Sequence, residues 1–216
     1  MMPHDAPTTR SRPESHEEPD PDHVLSFWFG ELDADGLASE ETVKRWWTKD
    51  PDVDAHIRDR FQDLHREIRA GRRAAWIDDA RGRLATIIVL DQLSRNMFRD
   101  SADMFAADDD ALAMALAGIE AGMDRALPVA QRAFFYLPLM HSEQLAAQDR
   151  CVELFEILRD ELEGRAREQI AGNLKFAVMH RDIVAKFGRF PHRNAILGRQ
   201  STPEELEFLK QPGSSF

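Results

Sequence analysis

"RLATIIVLDQLSRNMF", residues 83–98, decides the fold class. Thr86, Ile87, Ile88 and Val89 follow one another, and such β-branched content suits a buried strand. The apolar run through Leu90 equally suits a helix buried on all sides. A strand must pair its backbone donors and acceptors with another strand, and no second strand candidate or hairpin signal occurs in the chain. The spacing therefore predicts a central buried helix.

On either side of this segment the apolar periodicity is helical. Upstream, "PDHVLSFWFGE" opens on Pro21 and Asp22 and stops at Gly30, and "SEETVKRWWTKD" carries Trp46 and Trp47. Asp50-Pro51 starts a longer helix in which Val53, Ile57, Phe61, Leu64 and Ile68 share one face up to Gly71. Downstream, "ADDDALAMALAGIEAGMD" places its acids in a first turn and ends at Gly122. "LPVAQRAFFYLPLMHSEQ" is expected to begin at Pro128 and break near Pro138, and "AAQDRCVELFEILRD" follows it. A long helix from about Arg165 to Phe187 is stopped by Gly188 and Pro191. A short last helix has Thr202 as cap, Pro203 first and Glu205 in the capping-box position.

The fold class is all-α, and short connections favour stacked antiparallel helix pairs. Residues 1–20 hold four prolines and no large aliphatic beyond two methionines, so they are expected to be a disordered tail. Residues 21–216 are expected to form a single domain. Trp28, Trp46 and Trp47 lie at helical spacing and are expected in its core.

Charge narrows the partners. The 28 Lys and Arg against 39 Asp and Glu give a formal charge of -11, which disfavours general binding to nucleic acid or acidic membranes. A local basic pocket still has room for a small anion, because charge is screened beyond about 10 Å. The single cysteine, Cys151, excludes an intrachain disulfide and multi-cysteine metal motifs and sits on an amphipathic helix as a buried thiol. "LATIIVL" is too short to cross a bilayer, which needs about 20 residues, and the N-terminus lacks the apolar core of a signal peptide. A cytoplasmic protein without cofactor or metal is expected.

Three clusters are too polar for their surroundings. In "DQLSRNMFRD", Asp91 and Arg95 are four apart on one helix face, with Asn96 and Arg99 near the helix end. In "FFYLPLMHSEQ", a break at Pro138 would present His141 and Glu143 beside aromatics. In "HRDIVAKFGRFPHRN", His180 and Asp182 are two apart, about 200° around a helix, and cannot form a dyad. Arg189, His192, Arg193 and Asn194 follow in a loop constrained by Gly188 and Pro191, where side chains can converge. Arginine offers a planar fork for carboxylate or phosphate, and histidine moves a proton near neutral pH. The same residues could instead cap helix ends and satisfy buried carbonyls. "HRD" is not a kinase catalytic loop, since Phe187 stands where that loop needs asparagine, and no Gly-rich phosphate loop occurs.

"VLSFWFGE", "RWW", "DQLSRNMFR", "FFYLPLMHSE", "HRDIVAKFGRFPHRNAILGR", "STPEELEFL" and the terminal "PGSSF" together resemble the bacterial family catalogued as domain of unknown function 924. The resemblance runs from about residue 23 to the end and is most specific in "FGRFPHRN". It implies a tetratricopeptide-like helical fold and no established reaction. Arg95, Asn96, His141, Glu143, His180, Asp182, Arg189, His192, Arg193 and Asn194 match the family's pattern. One departure is Leu93-Ser94, where the usual form has Phe-Pro.

These residues lead to two expectations from different classes. In the first, the clusters meet at one end of the stack and bind a small anionic molecule. Arg95, Arg99, Arg189 and Arg193 would hold the anion, with Asn96, Asn194, Glu143 and Asp182 around it, and His141, His180 or His192 would act as acid or base. In the second, the stack is a helical scaffold gripping an acidic peptide or protein partner.

Overall fold

The computed structural model describes residues 19–215. The expected tail lies outside the described residues up to position 18, and Asp20, within its expected bounds, caps the first helix: its carboxylate accepts from His23 N. In chain order the helices are α1 (Pro21–Phe29), α2 (Glu40–Trp47), α3 (Pro51–Arg69), α4 (Ala80–Ile87), α5 (Ser94–Met97), α6 (Asp108–Glu120), α7 (Val129–His141), α8 (Leu145–Asp160), α9 (Gly164–Phe187) and α10 (Pro203–Phe208). Single 3₁₀ turns at 74–78, 102–105, 123–126 and 191–193 make the joints. Among the described residues the β structure is one isolated bridge, Leu32 to Ala38, so the fold is all-α.

The deciding segment is helical, and it is the hub. Leu84, Ala85, Ile87, Ile88 and Val89 are fully buried, and α4 packs on α1, α6 and α7. Gly82 lets the 74–78 turn lie directly on α4, since a Cβ there would stand 2.1 Å from the Trp76 carbonyl oxygen. Between α4 and α5, residues Ile88–Leu93 form one π turn. A π turn fits an extra residue into the helix and rotates everything beyond it.

Outside the hub, α6, α7, α8 and α9 pack consecutively, each against the next or next but one. The α8–α9 pair is antiparallel, with Asp160 on Arg167 (3.2 Å) at its loop and Asp149 near Arg181 (3.6 Å) farther along. Cys151 is buried there, and burial pushes its thiol well above the usual range. No helix among the described residues is long and apolar enough to cross a membrane.

Two expectations are corrected. Pro138 does not break its helix, because α7 runs unbroken to His141. An internal proline removes one backbone hydrogen bond, and here both turns around it are locked by packing, Phe135, Tyr136 and Leu139 being fully buried. Trp47 is not core. Trp28 is buried and Trp46 packs against Phe134 at 4.6 Å between ring centres, but Trp47 ends α2 and is 63% exposed, with one face stacked on Phe134.

Candidate functional site

The π turn brings Asp91 under the end of α7. Its carboxylate is buried, accepts from His141 Nδ1 at 2.7 Å and from Gln92 Nε2 at 2.5 Å, and is ion-paired with Arg95 Nη1 at 3.2 Å, which itself donates to the Asp91 carbonyl at 2.8 Å. Burial opposes the charge on Asp91, but Arg95 and the His141 bond outweigh it and hold the group well below the usual carboxylate range. Burial pushes His141 down, and the Arg95 charge overcomes much of what Asp91 would return. We therefore assign an ionised Asp91 and a neutral His141 that donates from Nδ1 and keeps its lone pair on Nε2.

From this pair the charges run outward in a chain. Arg95 grips both oxygens of Asp108, at 3.0 and 3.1 Å, and Arg193 reaches the same carboxylate at 3.1 Å. Arg193 also donates to the His141 carbonyl at 2.9 Å. Its guanidinium carbon lies 4.5 Å from the Phe105 ring centre and 4.6 Å from that of Phe190, a cation between two aromatic faces. Burial lowers Arg193 to about 10, with Arg95 adding to the effect. Two carboxylates thus face two guanidiniums, and the centre is nearly neutral overall.

His180 rises from α9 beside it. Its ring centre is 6.4 Å from that of His141, and Nδ1 donates to the Phe176 carbonyl at 2.8 Å, which leaves the lone pair on Nε2. Burial pulls it down to about 3. His192 packs against Phe190, 5.6 Å between ring centres, and burial lowers it to about 4, with the Arg193 charge adding to the effect. So Arg95, His141, His180 and Arg193 come together, with His192 at the margin.

The remaining expected residues sit elsewhere. Glu143 accepts from Arg199 through both oxygens (2.7 and 2.9 Å) and from Phe190 N. Arg189 holds Glu205 at 2.6 Å, and Asn194 bridges Ser201, Glu205 and Arg199. These contacts fasten the 189–205 segment to α10 and to the end of α7. The Arg189 and Thr202 bonds draw Glu205 down to about 2. Asn96 and Arg99 turn to the opposite side, where both donate to Asp54 of α3 (2.8 and 2.9 Å) while Arg58 takes the Met97 carbonyl. Asp182 is exposed and pairs with its neighbour Arg181.

Sequence reasoning missed Asp108, Phe105 and Arg199. No signal distinguishes Asp108 from Asp109 and Asp110 in "DDD", since any acid there is accounted for by the helix dipole. Among the described residues no three His, Cys, Asp or Glu side chains group to hold a metal ion. Two surface depressions lie away from the centre: one of about 190 Å³ against Lys44 and Thr48, another of about 480 Å³ against His65 and Phe98.

No curated protein matches the sequence. Among solved structures, a protein of unknown function from Agrobacterium tumefaciens is similar: 37% identical, TM-score 0.74, with 88% of this chain and 96% of that one covered. The family described as bacterial protein of unknown function matches residues 24–213, from α1 to just beyond α10, so the chain belongs to that family, DUF924.

Proposed function

We propose that the chain binds a small anionic molecule at the Asp91–His141 centre, with Arg95 and Arg193 as its cation pair and His141 as the group able to accept a proton. The observation that carries this reading is His141 itself. A neutral imidazole is oriented by a buried carboxylate at 2.7 Å, and its own backbone carbonyl is tied to Arg193, so base and cation share one rigid frame. Two of the side chains concerned meet the surface, His141 at 16% and Arg95 at 17% exposure, while Arg193 lies deeper at 8%. His180, neutral and with its ring centre 6.4 Å from that of His141, supplies a second imidazole wall.

The reading carries with it a cytoplasmic setting and a tetratricopeptide-like stack, the latter supported by the consecutive packing of α6 to α9. Its test is thermal unfolding of the purified protein against small carboxylates, phosphates and nucleotides, with Arg193→Ala as control. A ligand at about 100 times its dissociation constant adds about 2.7 kcal/mol of stability. The expected result is a stabilising anion whose effect disappears in the variant. A panel without any stabilising anion, or one whose effect survives in Arg193→Ala, refutes the reading.

A further inference from the structure

Asp108 is the first residue of α6 and is reached from α5 through the 102–105 turn. It is held as a ligand is held. Arg95 takes its two oxygens through Nη1 and Nη2 at 3.0 and 3.1 Å, and Arg193 takes one of them through Nη1 at 3.1 Å. A planar fork on both oxygens is the geometry by which arginine selects carboxylates. The carboxylate nevertheless stays 15% exposed, at a helix N-terminus that favours an anion without any arginine.

We propose that the Arg95–Arg193 pair is a carboxylate site which Asp108 occupies as an internal ligand and yields to a small monocarboxylate. The proposal rests on the anion reading above and narrows it to one class. Exchange of Asp108 for a free monocarboxylate replaces one negative charge by one, so the balance with Arg95, Arg193 and buried Asp91 is kept. A phosphate dianion would bring a surplus negative charge next to Asp91, which burial penalises. Arg193 also has a donor to spare: its Nε is buried without an acceptor, on a side chain only 8% exposed. Asp108, tethered through α6, reaches Arg193 only through Nη1 and leaves that donor unfilled. Phe105 and Phe190, which flank the guanidinium, offer apolar faces to the ligand's carbon end.

The test uses the full chain carrying Asp108→Ala and follows thermal unfolding in sodium acetate, sodium chloride and sodium phosphate at equal ionic strength. Acetate should raise the variant's midpoint by about 5 °C or more near saturation. Chloride should not, phosphate should do less, and wild type should respond less because Asp108 competes. Adding Arg95→Gln to Asp108→Ala should abolish the acetate response. An acetate effect no larger than that of chloride, one matched by phosphate, or one that survives Arg95→Gln overturns the proposal. If Asp108→Ala does not fold in chloride, refolding reads the same exchange: recovery in acetate alone supports it, and failure in both salts overturns it. Stabilisation of wild type by phosphates or nucleotides beside an acetate-blind Asp108→Ala would sink the carboxylate exchange and leave the broader anion reading standing.

Discussion

Asp91 is where structure and chemistry meet in one side chain. It is fully buried and has His141, Gln92 and Arg95 as hydrogen-bonding or charged neighbours. Asp91→Asn keeps the shape but removes the charge that balances Arg95 and orients His141. Breaking a buried ion pair from one side costs about 3–5 kcal/mol, and the low end applies here because Arg95 keeps Asp108. Urea unfolding of Asp91→Asn should therefore show a loss of about 3 kcal/mol. A loss below about 1 kcal/mol would mean that Asp108 alone satisfies Arg95. Arg95, His141 and Arg193 were readable as site candidates because polar groups in apolar helices and tight loops need partners. Asp108 was not, because its local explanation already sufficed. Asn96 and Arg99 look like neighbours of Arg95 in sequence, but helical phase beyond the π turn carries them to Asp54.

At the scale of elements, the glycines show how closely helices are fitted to what they touch. A Cβ on Gly82 would meet the Trp76 carbonyl oxygen at 2.1 Å, a backbone atom that can yield only by moving the whole 74–78 turn off α4. A Cβ on Gly172, inside α9, meets nothing within 4 Å. The same substitution should then act with opposite signs. Gly172→Ala should stabilise by about 0.8–1 kcal/mol through helix propensity alone. Gly82→Ala should destabilise by about 3 kcal/mol, overpacking outweighing the same propensity gain. Chemical denaturation of both variants checks the pair, and equal effects would contradict the tight α4 contact. Helix starts at Asp50-Pro51 and Thr202-Pro203 were legible because caps are local chemistry, and both caps form. The π turn at 88–93 was not, because one added residue leaves the apolar pattern of a wholly buried helix unchanged. Pro138 misled for the converse reason: a strong local signal was overridden by packing on every side.

For the molecule as a whole, burial of imidazoles links stability to pH. His65, His141, His180 and His192 all have lowered proton affinity, chiefly from burial, with His180 at about 3 and His192 at about 4. In the unfolded chain each takes a proton near pH 6.5. Between about pH 6.5 and 4 the unfolded state thus binds protons that folded His180 and His192 refuse, and stability falls as pH falls. Each histidine contributes at most about 1.4 kcal/mol per pH unit in that window. The net charge of -11 at pH 7 works the other way, since acidification toward the isoelectric point near 5.2 relieves self-repulsion. Those charges are spread over the surface and screened within about 8 Å in physiological salt, whereas the buried imidazoles are not, so the histidines win. Urea unfolding in about 0.15 M salt should show stability falling steadily from pH 6.5 to pH 5. In His180→Phe, which buries an apolar ring in place of a refused proton, that slope should be shallower, by about 0.7 kcal/mol per pH unit at about pH 6.5 rising to about 1.3 at about pH 5. A profile that is flat or rises toward acid, or an unchanged slope in the variant, would show that the imidazoles keep access to protons in the folded chain.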